Sequence, residues 1–125
     1  MRHAEHNLPG DLDAPARSRR LVEDWAAGHP RRHEIVLALS EIVANAVTHG
    51  GPMNEGITLR FKSDASCLRV AVVQRGPTFE PLIDRELSGL KVVDGIVDRW
   101  GIEGDSDHVD VWFEIDHRVG SGSNR

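Results

Sequence analysis

The sequence predicts an α+β fold, a two-layer α/β sandwich in which about three helices cover one face of a mixed, mostly antiparallel sheet. Three observations predict it. Apolar residues recur at helical spacing in three segments and alternate with polar residues in others. Short turn-like stretches join the alternating segments in pairs, as antiparallel neighbours require. The 125 residues and their 39% hydrophobic content suit one core and one domain, expected over 1–118, with a disordered tail over 119–125.

Residues 1–13 are polar apart from the region of Leu8 and read as an edge strand or a loose arm. "APARSRRLVEDWAA", Ala14 to Ala27, reads as a helix, with Pro15 in its first turn, a stripe of Leu21, Val22 and Trp25, and Gly28 at its end. A second helix runs from about His33 to His49 and is stopped by Gly50, Gly51 and Pro52. Its apolar side holds Ile35, Val36, Leu39, Ile42, Val43, Ala46 and Val47. "GITLRFKS" then alternates with period two, "SDAS" is a turn, and "CLRVAVVQ" completes a hairpin. A third helix starts near Ser88 and buries Leu90, Val92, Val93, Ile96 and Val97, leaving Asp94 and Asp98 on its exposed face. Two strands follow, about Gly101 to Glu103 and Val109 to Ile115, joined by "GDSDH". Trp25, Trp100 and Trp112 are expected to be buried or partly buried.

The formal net charge of −5 argues against a nucleic-acid binder, which usually carries a basic patch. No apolar run is long enough for a transmembrane helix, and "MRHAEHNLPGDLD" lacks the apolar centre of a signal peptide. Cys67 stands alone, so no internal disulfide is expected, and a cytoplasmic location follows as the expectation. The seven histidines are scattered without a zinc spacing.

Within "LALSEIVANAVTHGG", Glu41, Asn45 and His49 fall at i, i+4 and i+8, with Thr48 beside Glu41. Ordinary amphipathicity accounts for a polar stripe facing solvent. This stripe, however, holds no Lys or Arg. A carboxylate, an amide and an imidazole in one line suit a hydrated cation or a proton transfer.

This helix resembles the N-box helix of the GHKL superfamily of ATP-binding domains, and most of all that of the bacterial anti-sigma-factor kinases and their actinobacterial relatives. Four further stretches resemble family segments in the same order: "LPGDLDAPARSRRLVEDW", "LRVAVVQRGPTFEP", "SGLKVVDGIVDRWGIE" and "VDVWFEID". The resemblance spans about residues 7 to 116. It implies ATP and Mg2+ as cofactors, with Asn45 as the metal ligand and Glu41 as the catalytic residue that orients or deprotonates the attacking group. It further implies nucleotide contacts from Asn45, His49, Gln74, Gly76, Thr78, Gly89 and Leu90. The implied partners are a sigma factor and an anti-anti-sigma antagonist protein. Relatives of this type often form homodimers.

The sequence departs from the family at three places. Gln74 stands where the adenine motif has Asp, Thr78 replaces its second glycine, and Leu87 replaces a glycine before the third helix. Gly76, Phe79, Pro81 and Gly89 keep the pattern. A carboxylate accepts more strongly than an amide, and its loss costs about 1–2 kcal/mol. Leu87 removes part of the backbone freedom that lets N–H groups approach a phosphate. Two functions are therefore open: an ATP-dependent anti-sigma serine kinase, and a nucleotide-independent protein-binding module on a degenerate GHKL fold.

Overall fold

The computed structural model describes residues 1–49, 56–75, 87–104 and 107–117. Their elements, in chain order, are β1 (Arg2–Leu8), α1 (Ala14–Trp25), α2 (Arg32–His49), β2 (Ile57–Ser63), β3 (Cys67–Arg75), α3 (Leu87–Ile96), β4 (Arg99–Gly104) and β5 (His108–Asp116). The expected tail lies outside the described residues.

The five strands form one sheet in the order β1-β2-β3-β5-β4. All four pairings among the described strands are antiparallel, in keeping with the expected mostly antiparallel sheet. Short turns lead from β2 to β3 and from β4 to β5, so each of those pairs must run in opposite directions. Of the two readings of the N-terminus, the edge strand holds: Arg2 to Leu8 pair with Ser63 back to Ile57.

Period-two alternation decides which side chains face the helices. Ile57, Leu59 and Phe61 of β2, Leu68, Val70 and Val72 of β3, and Val109, Val111, Phe113 and Ile115 of β5 are all buried. Against them α2 places Ile35, Ala38, Leu39, Ile42, Val43 and Ala46, while α1 adds Val22 and α3 adds Leu90 and Val93. Each large side chain buried in this layer contributes about 1.5–3 kcal/mol. Trp25 is half-buried and tilts against Phe61 at 5.3 Å between ring centroids. The Arg2 guanidinium also lies over the Trp25 ring, 4.7 Å from its centre.

The helix ends differ from expectation in instructive ways. The chain leaves α1 through a turn in which Gly28 has φ +86°, a left-handed conformation that glycine adopts without strain. The third helix begins at Leu87, so Ser88 and Gly89 lie within its first turn rather than ahead of it. It ends at Ile96, before Asp98, whose N–H already donates to the Glu114 carbonyl at the start of the β4–β5 ladder. Asp98 is thus not a residue of an exposed helix face. Val92, expected inside, is exposed, because the stripe facing the sheet is narrower than the run of apolar residues. Trp100 and Trp112 are partly buried. No described helix is long and apolar enough to cross a membrane.

Candidate functional site

A small cleft, with a volume of about 20 Å³, lies where the C-terminal half of α2 meets the end of β3. Ile42, Asn45 and Ala46 line it from α2, Val72 and Gln74 from β3, and Leu90 from α3. Ile102, Val109 and Val111 complete its floor from β4 and β5. The lining among the described residues is therefore apolar with two amides, the mixture of apolar surface and a few polar groups common in ligand sites.

Asn45 is half-buried, and its Nδ2 is fully buried without a hydrogen-bond partner among the described residues. An orphaned buried amide is uncommon in folded proteins and requires an explanation. Gln74 is only 4% exposed. It sits near the end of β3, between Ile57 of β2 and Val109 of β5. Its Nε2 donates to the Ala46 carbonyl at 3.2 Å. Ala46 belongs to the last four residues of α2, whose carbonyls have no partner within the helix. Gln74 thus supplies a helix end with a hydrogen bond that an aspartate could not donate. This role is absent from the sequence reading, since nothing in a linear pattern shows which strand end meets which helix end.

The structure brings Asn45, Gln74 and Leu90 together in one cleft. Glu41 is half-buried and lies one turn before Asn45 on α2, outside the lining of the cleft. His49 is the last residue of α2, and Gly89 lies in the first turn of α3. The side chain of His49 lies outside the described residues, as do Gly76 and Thr78. Among the described residues, no group of three or more His, Cys, Asp or Glu side chains could hold a metal ion. The donors near the cleft are instead hard oxygen atoms, the Asn45 amide and the Glu41 carboxylate. They fit magnesium, which keeps several waters, takes one or two protein ligands and is otherwise held by phosphates.

The fold has a known counterpart. The crystal structure of the RsbU and RsbW domains of Rv1364c from Mycobacterium tuberculosis superposes with a TM-score of 0.76, at 22% identity. The match covers 92% of this chain and 32% of that one, so this chain spans about a third of its length. At that identity the likeness is one of fold. No curated protein matches. Residues 8–111 match the family model of the histidine kinase-like ATPase domain. That match covers every element from the end of β1 into β5, and the chain therefore belongs to the histidine kinase-like ATPase domain family.

Proposed function

We propose that this chain is an ATP-binding regulatory protein of the anti-sigma-factor type. It binds a sigma factor and transfers a phosphoryl group to a serine of an antagonist protein. The observation that carries the reading is the placement of Asn45 and Gln74 on facing elements of one cleft, with Glu41 a turn away on the same helix. Apolar walls from Val72, Leu90, Ile102 and Val111 suit a purine ring.

Asn45 would hold magnesium through its side-chain oxygen, and the metal would supply charge neutralisation at the phosphates. Glu41 accepts the proton of the incoming serine hydroxyl, or orients that hydroxyl in line with the phosphoryl group. The serine oxygen gains its bond to phosphorus as the bond to the leaving diphosphate breaks. Little else is needed, because phosphoryl transfer depends mainly on position and on charge neutralisation.

A second reading has its own observation. The Gln74 carboxamide is engaged with the Ala46 carbonyl, which makes it part of the scaffold. On that reading the fold serves as a protein-binding module with no nucleotide. Incubation with γ-labelled ATP, magnesium and a panel of antagonist-type proteins separates the two. Label on an antagonist serine, lost in Glu41→Gln, supports the kinase. Co-purification of a sigma factor or antagonist without any label supports the module. Neither label nor partner sinks both.

A further inference from the structure

At the end of the sheet away from the cleft, three backbone segments meet through two imidazoles. His29 lies in the α1–α2 loop, and His117 follows directly on β5. His29 Nε2 and His117 Nδ1 are 3.2 Å apart, with the rings tilted and 5.3 Å between centroids. The Arg31 backbone N–H donates to His29 Nδ1 at 3.0 Å. On the far side, His117 Nε2 stands 2.7 Å from the Asp64 carbonyl oxygen in the β2–β3 turn and 3.3 Å from Ser63 Oγ.

The two ends of this row are backbone groups that cannot change role. A carbonyl only accepts, so His117 Nε2 carries a hydrogen and donates to Asp64. A backbone N–H only donates, so His29 Nδ1 carries none. His29 therefore has its hydrogen on Nε2 and donates it to the bare Nδ1 of His117. Every position is filled by two neutral rings in the same tautomer. A third proton has no place. On His29 Nδ1 it opposes the Arg31 N–H, and on His117 Nδ1 it opposes the His29 N–H.

We propose that the His29–His117 pair is an acid-sensitive latch, closed when both rings are neutral and opened by uptake of one proton. It ties the α1–α2 loop to the β2–β3 turn and to the end of β5. The same loop carries Arg31, which donates to the Ile96 carbonyl at the end of α3 and pairs with Asp98 and Glu34. Opening the latch thus loosens the anchorage of α3, which supplies Leu90 to the cleft.

The charged groups around the pair act in both directions. From the loop itself, the Arg31 guanidinium opposes a proton. Burial, the facing His117 ring and Arg31 together hold His29 below the ordinary imidazole value. From the β2–β3 turn, the Asp64 carboxylate stands near the pair as a negative charge. It is held at about 2 by N–H groups of Cys67 and Ser66 and by the Ser66 hydroxyl, so it stays ionised throughout. Glu34 of α2 and Asp98 before β4 are committed to Arg31. Whichever ring takes the proton, one hydrogen bond of the row is lost.

Long-range proton–nitrogen NMR of the imidazoles near pH 7.5 tests the row directly. Both rings are expected neutral, with hydrogen on Nε2, and a hydrogen on Nδ1 of either ring overturns the latch. Urea unfolding at about pH 7.5 and about pH 5.5 gives the second test, with His29→Gln as the variant that keeps an N–H near Nε2 and cannot titrate. The unaltered protein should lose about three- to tenfold more of its folding equilibrium constant over that range than the variant, the worth of one hydrogen bond. Equal losses overturn the proposal. If His29→Gln fails to fold, the tautomers in the unaltered protein still decide.

Discussion

Gln74 Nε2 and the Ala46 carbonyl are hydrogen-bonded at 3.2 Å, joining the end of β3 to the last turn of α2. At this position the sequence departs from the adenine-binding motif that it resembles. The substitution has a structural use, and restoring the motif should therefore harm the protein. In Gln74→Asp the side chain is one methylene shorter and has no donor when ionised. The Ala46 carbonyl then loses the Gln74 N–H, and a carboxylate is left where Gln74 is 4% exposed. A stability loss of about 1–3 kcal/mol is expected by urea unfolding. A Gln74→Asp protein as stable as the parent, with tighter ATP binding, would contradict this role.

Gly101 is constrained by a neighbour on the next strand. It lies opposite Trp112 in the β4–β5 ladder, and a Cβ at Gly101 would stand 2.7 Å from Cζ2 of that indole. The ring cannot retreat freely, since the Arg69 guanidinium lies over it at 4.2 Å. Gly101→Ala should cost about 1–3 kcal/mol through overpacking. Calorimetry should also show most of that cost relieved when Trp112→Leu is added. Strict additivity of the two changes would argue against the contact.

Asp98 carries a prediction about acid. Burial raises its pKa, but the Asp116 N–H and the Arg31 guanidinium outweigh burial and hold it below the usual carboxylate range. The bonds concerned are 2.7 Å and 2.6 Å. A carboxylate with a lowered folded-state pKa binds fewer protons folded than unfolded near its titration. Its stabilisation is complete above the unfolded value, about 4, and is lost as pH falls through the folded one. Asp98→Asn should lose about 1 kcal/mol at neutral pH, a modest sum because the pair is partly exposed. Below about pH 4 the difference from the parent should narrow. A constant difference across that range would show that the charge plays no part.

Much of this architecture is legible in the sequence, for identifiable reasons. The stripe from Ile35 to Ala46 and the alternation of Val109, Val111, Phe113 and Ile115 follow from helix and strand periods, and those residues are buried. Val92 shows the limit of such patterns: hydrophobicity alone does not say where the sheet ends, and this residue is exposed. Of the candidate site, the line through Glu41 and Asn45 was readable from its helical spacing and its resemblance to the N-box. The Gln74–Ala46 bond and the His29–His117 contact were not. They join positions 28 and 88 residues apart, and only the packing of α2 and the loop before it on the sheet brings them together. Asp98 was placed on a helix because its segment is apolar and periodic, whereas the helix stops two residues earlier and Arg31 claims the carboxylate.

Asn45 and the cleft around it are expected to bind magnesium and ATP, and thermal unfolding with and without Mg-ATP reads that binding out. Ligand at about 100 times its dissociation constant should add about 2.7 kcal/mol to the stability of the parent protein. Asn45→Ala should fold and yet show little of that gain, since it removes an amide whose Nδ2 has no partner among the described residues. An unfolding temperature that does not move at millimolar Mg-ATP, or that moves equally in Asn45→Ala, would contradict the claim.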